Sequence, residues 1–251
     1  LDVITPRAAL VLAAVLLAPL AGCERERPAA PAAPAAAPAP PLAWSEKTAD
    51  AEAELTLPAA LKTHPALHRR LFDEEVAAAR KFVAEAKAER AAVGFDMPPY
   101  GLQVAWRVSA ETPRLLSLVR EVSSYTGGAH PNSGSTTLLW DKRAGRELDK
   151  SALFADAAAR PRLEAELCDA LKAAKAERGG VELTGDVWSC PRWNDLTLAL
   201  SPGAGGRAGG VVALFSPYEV GPYAEGAYDV TLPATAVRAA VAPEFRAEFA
   251  G

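Results

Sequence analysis

The stretch LQVAWRVS, residues 102–109, decides the fold class, because its apolar and polar side chains alternate strictly. Every second residue from Leu102 to Val108 is apolar, and the residues between them are polar or small. This pattern is typical of a strand with one buried face. A turn at residues 111–113 is expected to reverse the chain, and residues 114–125 read as the partner strand. We therefore predict an antiparallel sheet around these two segments.

Helices and strands alternate along the rest of the chain without a regular repeat. Apolar residues recur at helical spacing, and turn residues separate the alternating segments. The predicted strands are 51–58, 135–140, 195–200, 211–215 and 228–232; the predicted helices are 65–93 and 160–177; residues 203–210 form a hairpin tip. The pattern predicts an α+β fold of antiparallel sheets with helices packed on them, arranged as two consecutive α/β subdomains.

The N-terminus carries an apolar run, residues 8–20, which ends in LAGC at Cys23 and is followed by a charged block. This resembles a bacterial lipoprotein signal, and the resemblance implies cleavage before Cys23 and lipidation of its thiol. The run is shorter than the roughly 20 residues that a membrane-spanning helix needs. An uncleaved signal anchor and a buried apolar helix are the alternatives.

Location follows from the same signal. Glu24, rather than Asp, follows the cysteine, which by the resemblance implies transfer to the outer membrane. We expect a protein of the cell envelope that meets the membrane through its lipid anchor only, on the periplasmic face of the outer membrane in a Gram-negative host.

An Ala/Pro-rich segment, residues 24–43, separates the signal from the remaining sequence. Repeated proline blocks helix formation, and Ala and Pro offer too little apolar surface to order a core, so an extended tether is expected. The predicted plan is a signal at 1–23, a tether at 24–43, an N-terminal α+β domain at 44–133 and a C-terminal α+β domain at 134–251.

Charge and motif content argue against a nucleic acid partner and against a phosphate-binding loop. The formal net charge is -4, and basic residues are interleaved with acidic ones, so we expect no nucleic acid partner. The glycines of residues 203–210 lack the Gly-Lys-Ser/Thr of a phosphate loop, and no cofactor is expected.

Two cysteines remain after Cys23. In an oxidising compartment Cys168 and Cys190 form a disulfide or stay as two buried thiols, and the sequence leaves both open. No Cys-x-x-Cys spacing is present, which argues against a redox or metal site.

Two motifs suggest a family. They are SYTGGAHPN, residues 124–132, and FSPYEVGPYAEG, residues 215–226, with a linking segment at 139–154. They resemble the paired exported domains of unknown function in the ectodomain of the anti-sigma factor RsiV and in the region ahead of the catalytic domain of the peptidoglycan deacetylase PdaC. In that family the first motif closes the smaller domain, which places a boundary near Ser133.

The departures limit what the resemblance implies. The sequence has no Asp-Asp pair with a downstream His-x-x-x-His, so the deacetylase activity is not implied. Few residues precede the apolar run, and we expect no cytoplasmic sigma-binding segment. What remains is the shared ectodomain, which in RsiV receives lysozyme. The resemblance therefore implies a binding or sensing protein of the envelope, with a lysozyme-like hydrolase or peptidoglycan as its partner.

Both motifs supply candidate binding residues. They are Tyr125, Gly127, Gly128, His130, Asn132, Tyr218, Glu219 and Tyr223. Tyrosine brings a large rigid contact area with a polar tip, so Tyr218, Tyr223 and Tyr228, with Glu219 and Glu225, are a possible platform for sugar or protein. The alternative is a structural loop whose tyrosines cover a sheet edge.

Catalysis is the competing hypothesis. His130, beside Tyr125, is the best candidate for a general base of a small cell-wall hydrolase. The alternative is that His130 bonds the backbone of a tight turn. His64 and His68 stand four residues apart, but no third metal ligand is evident, so capping or surface placement is expected and no metal site is predicted.

Overall fold

The paired segments at the centre of the sequence form the predicted hairpin. Strand β3 spans Tyr100–Glu111, β4 spans Leu115–Tyr125, and the two are antiparallel. Thr112 closes the turn between them, because its backbone N–H donates to the Leu115 carbonyl at 2.8 Å. The hairpin lies at the centre of the larger of two sheets.

The structure, a computed structural model, describes residues 38–93, 98–185 and 187–251. The larger sheet also contains β1 (Ala43–Lys47), β2 (Ala51–Thr56), β5 (Asn132–Asp141) and β6 (Arg146–Glu147). Its six strands lie in sequence order. All neighbours are antiparallel except β2 and β3, which are parallel. A parallel pair needs a long crossover, and helix α1 (Pro65–Val93) supplies it.

Helix α1 covers one face of this sheet. Leu67, Leu71 and Val76 are buried in a cluster with strand residues of that face, and each such side chain contributes about 1.5–3 kcal/mol through burial. Glu75, which is 8% exposed, accepts hydrogen bonds from Trp106 at 2.9 Å and from Arg120 at 2.6 Å. These bonds compensate the desolvation of its carboxylate.

The second sheet has three antiparallel strands, and β8 is the central one. They are β7 (Thr197–Pro202), β8 (Ala208–Phe215) and β9 (Tyr228–Pro233). Helix α3 (Arg160–Glu177) buries Leu163, Leu167 and Leu171 in the core of this half. Two short helices, α2 (Lys150–Leu153) and α4 (Ala234–Val237), complete it. The predicted α+β class is confirmed.

The second sheet packs on the face of the first that α1 leaves free. Val119 forms a small apolar cluster with Ala199 and Leu214. Two serines tie the sheets together: Ser109 donates to the Leu200 carbonyl at 2.5 Å, and the Leu200 N–H donates to Ser117 at 3.0 Å. Contacts of this kind hold the two sheets in one arrangement.

The predicted boundary near Ser133 falls at the start of β5, a strand of the larger sheet. Residues 38–251 form one compact unit. The division into domains at 44–133 and 134–251 stays a prediction. Across the described residues, no helix has both the length and the apolarity to cross a membrane.

The last residues of the predicted tether lie against α1. The carbonyl of Pro41 is 3.2 Å from His68 Nε2, and Arg69 donates to the Pro38 carbonyl at 2.5 Å. His68 is 0% exposed. The expected capping or surface placement is therefore wrong for His68, because helical spacing puts it beside Leu67 and Leu71 on the buried side of α1.

Candidate functional site

The two family motifs, which lie in different halves of the sequence, meet at one point. The His130 ring stacks on the Tyr223 ring with centroids 3.7 Å apart and planes inclined by 15°. The Tyr223 hydroxyl donates to the Pro131 carbonyl at 3.2 Å, and the Tyr218 ring lies 5.6 Å from that of Tyr223. We call His130, Tyr218 and Tyr223 the aromatic cluster.

Both nitrogens of His130 have partners. Nδ1 lies 3.0 Å from the Pro131 carbonyl oxygen, which accepts only, so Nδ1 carries the proton and donates. Nε2 lies 3.3 Å from the Tyr218 hydroxyl and in the neutral ring accepts from it. Among the described residues no carboxylate contacts His130. The arrangement positions two tyrosines but lacks the carboxylate that orients a catalytic histidine in a Ser-His-Asp triad.

Tyr218 is the exposed member of the aromatic cluster. Its side chain is 52% exposed. Its φ is 74°, which makes it the one residue other than glycine with a positive φ in the described chain. A bulky residue in this region carries strain of the order of 1–3 kcal/mol, and such strain concentrates at functional sites.

The first motif turns sharply before it reaches His130. Gly127 and Gly128 have φ values of 97° and 99°, a conformation that suits glycine. Tyr125 donates to the Gly128 carbonyl at 3.3 Å and closes the turn. Asn132 starts β5 opposite Ser124. The structure thus brings His130, Tyr218 and Tyr223 together, whereas Tyr125, Gly127, Gly128 and Asn132 shape the turn that carries His130.

Glu219 lies beside Tyr218 on the exposed loop. Its backbone N–H donates to the Ser216 carbonyl at 3.1 Å and forms a tight turn. Glu219 is exposed, and its carboxylate forms no hydrogen bond or ion pair with the described residues. The negative charge next to Tyr218 is therefore open to a partner.

A buried ion pair holds the second motif from behind. Glu225 Oε2 accepts from Lys175 Nζ at 2.6 Å and from the Tyr228 hydroxyl at 2.7 Å, and Oε1 accepts from the Val181 N–H at 2.7 Å. Burial alone would raise the pKa of Glu225, but the hydrogen bonds from Lys175, Val181 and Tyr228 outweigh it and lower the pKa to about 2. The carboxylate therefore stays ionised near neutral pH.

The site of this ion pair is tightly enclosed. Lys175 is 2% exposed and also donates to the Val220 carbonyl at 2.7 Å. A Cβ at Gly221 would lie 2.5 Å from the Glu225 carboxylate and 2.7 Å from Lys175 Nζ, so only glycine allows this approach. Arg178 donates to the Glu225 carbonyl as well. Helix α3 therefore fixes the loop that presents Tyr218 and Tyr223.

Two of the five residues proposed for a tyrosine and glutamate platform do not belong to an exposed surface. Tyr228 is 2% exposed and belongs to the core, and Glu225 is turned inward to Lys175. Lys175 is a site residue that was not predicted, because in the sequence it resembles the other charges of a solvated helix face. Its neighbours Leu171 and Leu167, four and eight residues earlier on the apolar stripe, are the signal that places it inward.

A polar groove adjoins the aromatic cluster. It lies on the face of the larger sheet opposite α1, beyond the part that the second sheet covers. One row of neighbouring residues, one from each of four adjacent strands, crosses its floor: Glu54, Gln103, Ser123 and Ser133. The strand residues of this face change from apolar where the second sheet covers them, as at Val119, to polar where the face is open.

Two hollows share this floor. One, of about 430 Å³, is walled by Leu214, Ser216, Pro217 and Asp229 of the second half. The other, of about 340 Å³, extends to Glu52, Gly101 and Tyr125. Both are lined by Gln103 and Ser123, so the two hollows adjoin, and together we call them the groove. In the sequence, Glu54 and Gln103 are only the polar members of alternating strand patterns, so the groove was not predicted.

The disulfide between Cys168 and Cys190 is present. Their Cα atoms are 5.3 Å apart, and the bond links α3 to the segment that precedes β7. The sequence left open whether these cysteines form a disulfide or stay as two buried thiols, and the structure has the disulfide. Within the described residues no cluster of three His, Cys, Asp or Glu side chains is arranged to hold a metal ion. Cys23 and its predicted lipidation lie outside the described residues.

Comparisons with known proteins identify the two parts of the chain. The family model described as deacetylase PdaC matches residues 45–133, and the model described as a protein of unknown function (DUF3298) matches residues 151–235. No curated protein matches the sequence significantly.

Solved structures of DUF3298 family proteins have a similar fold. One from Bacteroides fragilis has a TM-score of 0.53 at 18% identity, with 82% of this chain and 94% of that chain covered. One from Pseudomonas aeruginosa has a TM-score of 0.53 at 16% identity, with 86% of this chain and 98% of that chain covered. The paired domains that the motifs predict are thus confirmed: the chain carries a PdaC-type domain and a DUF3298 domain in tandem.

Proposed function

We propose that this chain is a binding protein of the cell envelope, and that it docks a lysozyme-like hydrolase on the aromatic cluster. The main support for the proposal is the exposure and backbone conformation of Tyr218. A large side chain, 52% exposed and held in a positive-φ backbone, has no role in the core.

The cluster has the properties of a protein-binding hot spot. Tyrosine is enriched among the residues that dominate binding energies, and such residues act best when they are held in place before binding. Here the stack on Tyr223 and the hydrogen bond to Tyr218 orient His130, and the Lys175–Glu225 pair fixes the loop behind them. The partner therefore meets a prepared surface.

The lysozyme-like partner and the envelope location come from resemblance. The ectodomain that the two motifs resemble receives lysozyme, and the lipobox at Cys23 implies a lipid anchor in the envelope. In a Gram-negative host the anchor would place the protein on the periplasmic face of the outer membrane. The free carboxylate of Glu219 beside Tyr218 favours a cationic partner.

Binding of the 251-residue chain to a c-type lysozyme tests the proposal. We expect saturable binding by isothermal titration calorimetry and a loss of lytic activity in the complex. Tyr218→Ala is expected to weaken binding at least about tenfold, which corresponds to about 1.4 kcal/mol. Val187→Ala, which truncates another exposed apolar side chain outside both motifs, is the matched control and is expected to bind normally.

Two other results would contradict this proposal. Binding to purified peptidoglycan sacculi without binding to lysozyme would make the wall polymer the partner. Release of muropeptides without added lysozyme, abolished by His130→Ala, would identify a cell-wall hydrolase. Binding to sacculi and release of muropeptides are measured in the same samples, so the two results can be compared directly.

A further inference from the structure

The geometry points to a second binding site, for a short oligosaccharide, in the polar groove on the open face of the larger sheet. This inference goes beyond the docking of a hydrolase and rests on different residues. It comes from the register of the strands, the free hydrogen-bonding capacity of the groove and its shape.

The floor of the groove is a row of polar side chains at regular spacing. Glu54 is opposite Gln103, Gln103 is opposite Ser123, and Ser123 is opposite Ser133, on four adjacent strands. Neighbouring strands lie about 4.8 Å apart, so the row is roughly 14 Å long, which suits an extended chain of about three sugar rings.

These side chains are free to bind a ligand. Among the described residues, none of Gln103, Ser123 and Ser133 forms a side-chain hydrogen bond with the protein, and the carboxylates of Glu54 and Asp229 have no ion-pair partner. An amide, hydroxyls and carboxylates together offer both donors and acceptors, which is what a polyhydroxylated ligand requires.

The shape and charge of the groove narrow the ligand class. Gly101, which has no side chain, leaves space on the floor between its strand neighbours Glu52 and Tyr125. The two adjoining hollows, about 430 and 340 Å³, fall in the range of small-molecule clefts. Arg107 is paired with Glu121 at 2.7 Å. The unpaired carboxylates make the groove unfavourable for phosphate-rich or other anionic polymers, and a neutral saccharide avoids this repulsion.

Titration of the 251-residue chain with chitotetraose, cellotetraose and maltotetraose tests the inference. We expect saturable binding of at least one probe with a Kd of about 0.1–1 mM, read by calorimetry and by NMR shifts of the Gln103 and Ser123 amides. No saturable binding of any probe up to about 10 mM would overturn the inference.

Two variants locate the site. Gly101→Val fills the floor, and its Cβ would meet Tyr125 Cβ at an ordinary contact distance of 3.9 Å, so we expect the fold to be retained and binding to fall at least about tenfold. Ser123→Ala/Ser133→Ala removes two hydroxyls with little change of shape and is expected to weaken binding similarly. Thr136→Ala, an exposed residue of β5 on the opposite face, is the control.

The outcomes separate this inference from the proposed function. Saccharide binding that is unchanged in both groove variants, with melting temperatures equal to that of the parent chain, would place the sugar elsewhere and overturn the inference. The lysozyme titration uses a different probe and the Tyr218 variant. Failure of either proposal therefore leaves the test of the other intact.

Discussion

The imidazole of His130 lies nearly parallel to the phenol ring of Tyr223, with ring centroids 3.7 Å apart. This stack joins the motif at residues 124–132 to the motif at residues 215–226. It explains why each motif is rich in glycine or proline: the first must turn sharply to deliver His130, and the second must hold Tyr223 against it. The two halves of the chain therefore build one surface.

The strain at Tyr218 gives a stability prediction. Because φ is 74° there, Tyr218→Gly is expected to be more stable than Tyr218→Ala by about 1 kcal/mol, since glycine adopts this conformation without a Cβ clash. Urea unfolding of the two variants measures the difference. A more stable alanine variant would show that Tyr218 does not hold a left-handed backbone.

The Lys175–Glu225 pair is expected to show strong energetic coupling. Lys175→Met and Glu225→Gln each strand a buried partner and are expected to cost about 3–5 kcal/mol, whereas the double variant costs less than the sum by about 2 kcal/mol. A double-mutant cycle measures this.

The matched control for that cycle lies on the same helix. Arg162 and Glu166 form an exposed pair four residues apart, and their coupling is expected to be below about 0.5 kcal/mol. Strictly additive effects at Lys175 and Glu225 would contradict the role given to the buried pair.

Glu225 also makes stability depend on pH in the acid range. Its pKa is about 2 in the folded chain and near 4.3 in an unfolded one, so its contribution is complete above pH 4.3 and is lost as pH falls toward 2. The loss amounts to about 3 kcal/mol.

Urea unfolding between pH 7 and pH 2 tests this dependence. The parent chain is expected to lose more stability on acidification than Glu225→Gln does. Asp141, whose pKa is also lowered by its hydrogen bond from Arg114, contributes equally to both proteins and cancels in the comparison. Identical pH profiles would show that Glu225 is not responsible.

The disulfide is expected to stabilise the second half. The bond between Cys168 and Cys190 closes a loop of 22 residues, which corresponds to about 3 kcal/mol in the chain-entropy model. Cys168→Ala/Cys190→Ala is expected to lower the melting temperature, with no further effect of a reducing agent on that variant. Equal melting temperatures for the parent and the double variant would show that the bond contributes little.

Most of the elements follow from sequence periodicity. The alternation over residues 102–109 gives β3, and the spacing of Leu163, Leu167 and Leu171 gives α3, because both patterns reflect local geometry. The parallel pairing of β2 with β3 was not predicted, since it depends on where α1 returns the chain.

The site was predicted only in part, because local sequence indicates unusual residues but not how distant segments pack together. Tyr218, Tyr223 and His130 were singled out from unusual local composition, but their contact is set by the packing of the two sheets. The helical spacing of Leu167 and Leu171 indicates the inward placement of Lys175, and the alternation of Tyr228 with Val230 indicates that Tyr228 is buried. The polar groove at Gln103 depends on which strand faces are covered, and no local pattern records this.

The affinities of the parent chain and of Tyr218→Ala for a c-type lysozyme show whether Tyr218 is part of a docking surface. Calorimetric titrations of both proteins, with melting temperatures recorded alongside, give these affinities. We expect saturable binding by the parent chain, at least about tenfold weaker binding by the variant, and melting temperatures that agree closely. Equal affinities in two folded proteins would contradict the claim that the aromatic cluster is the docking surface.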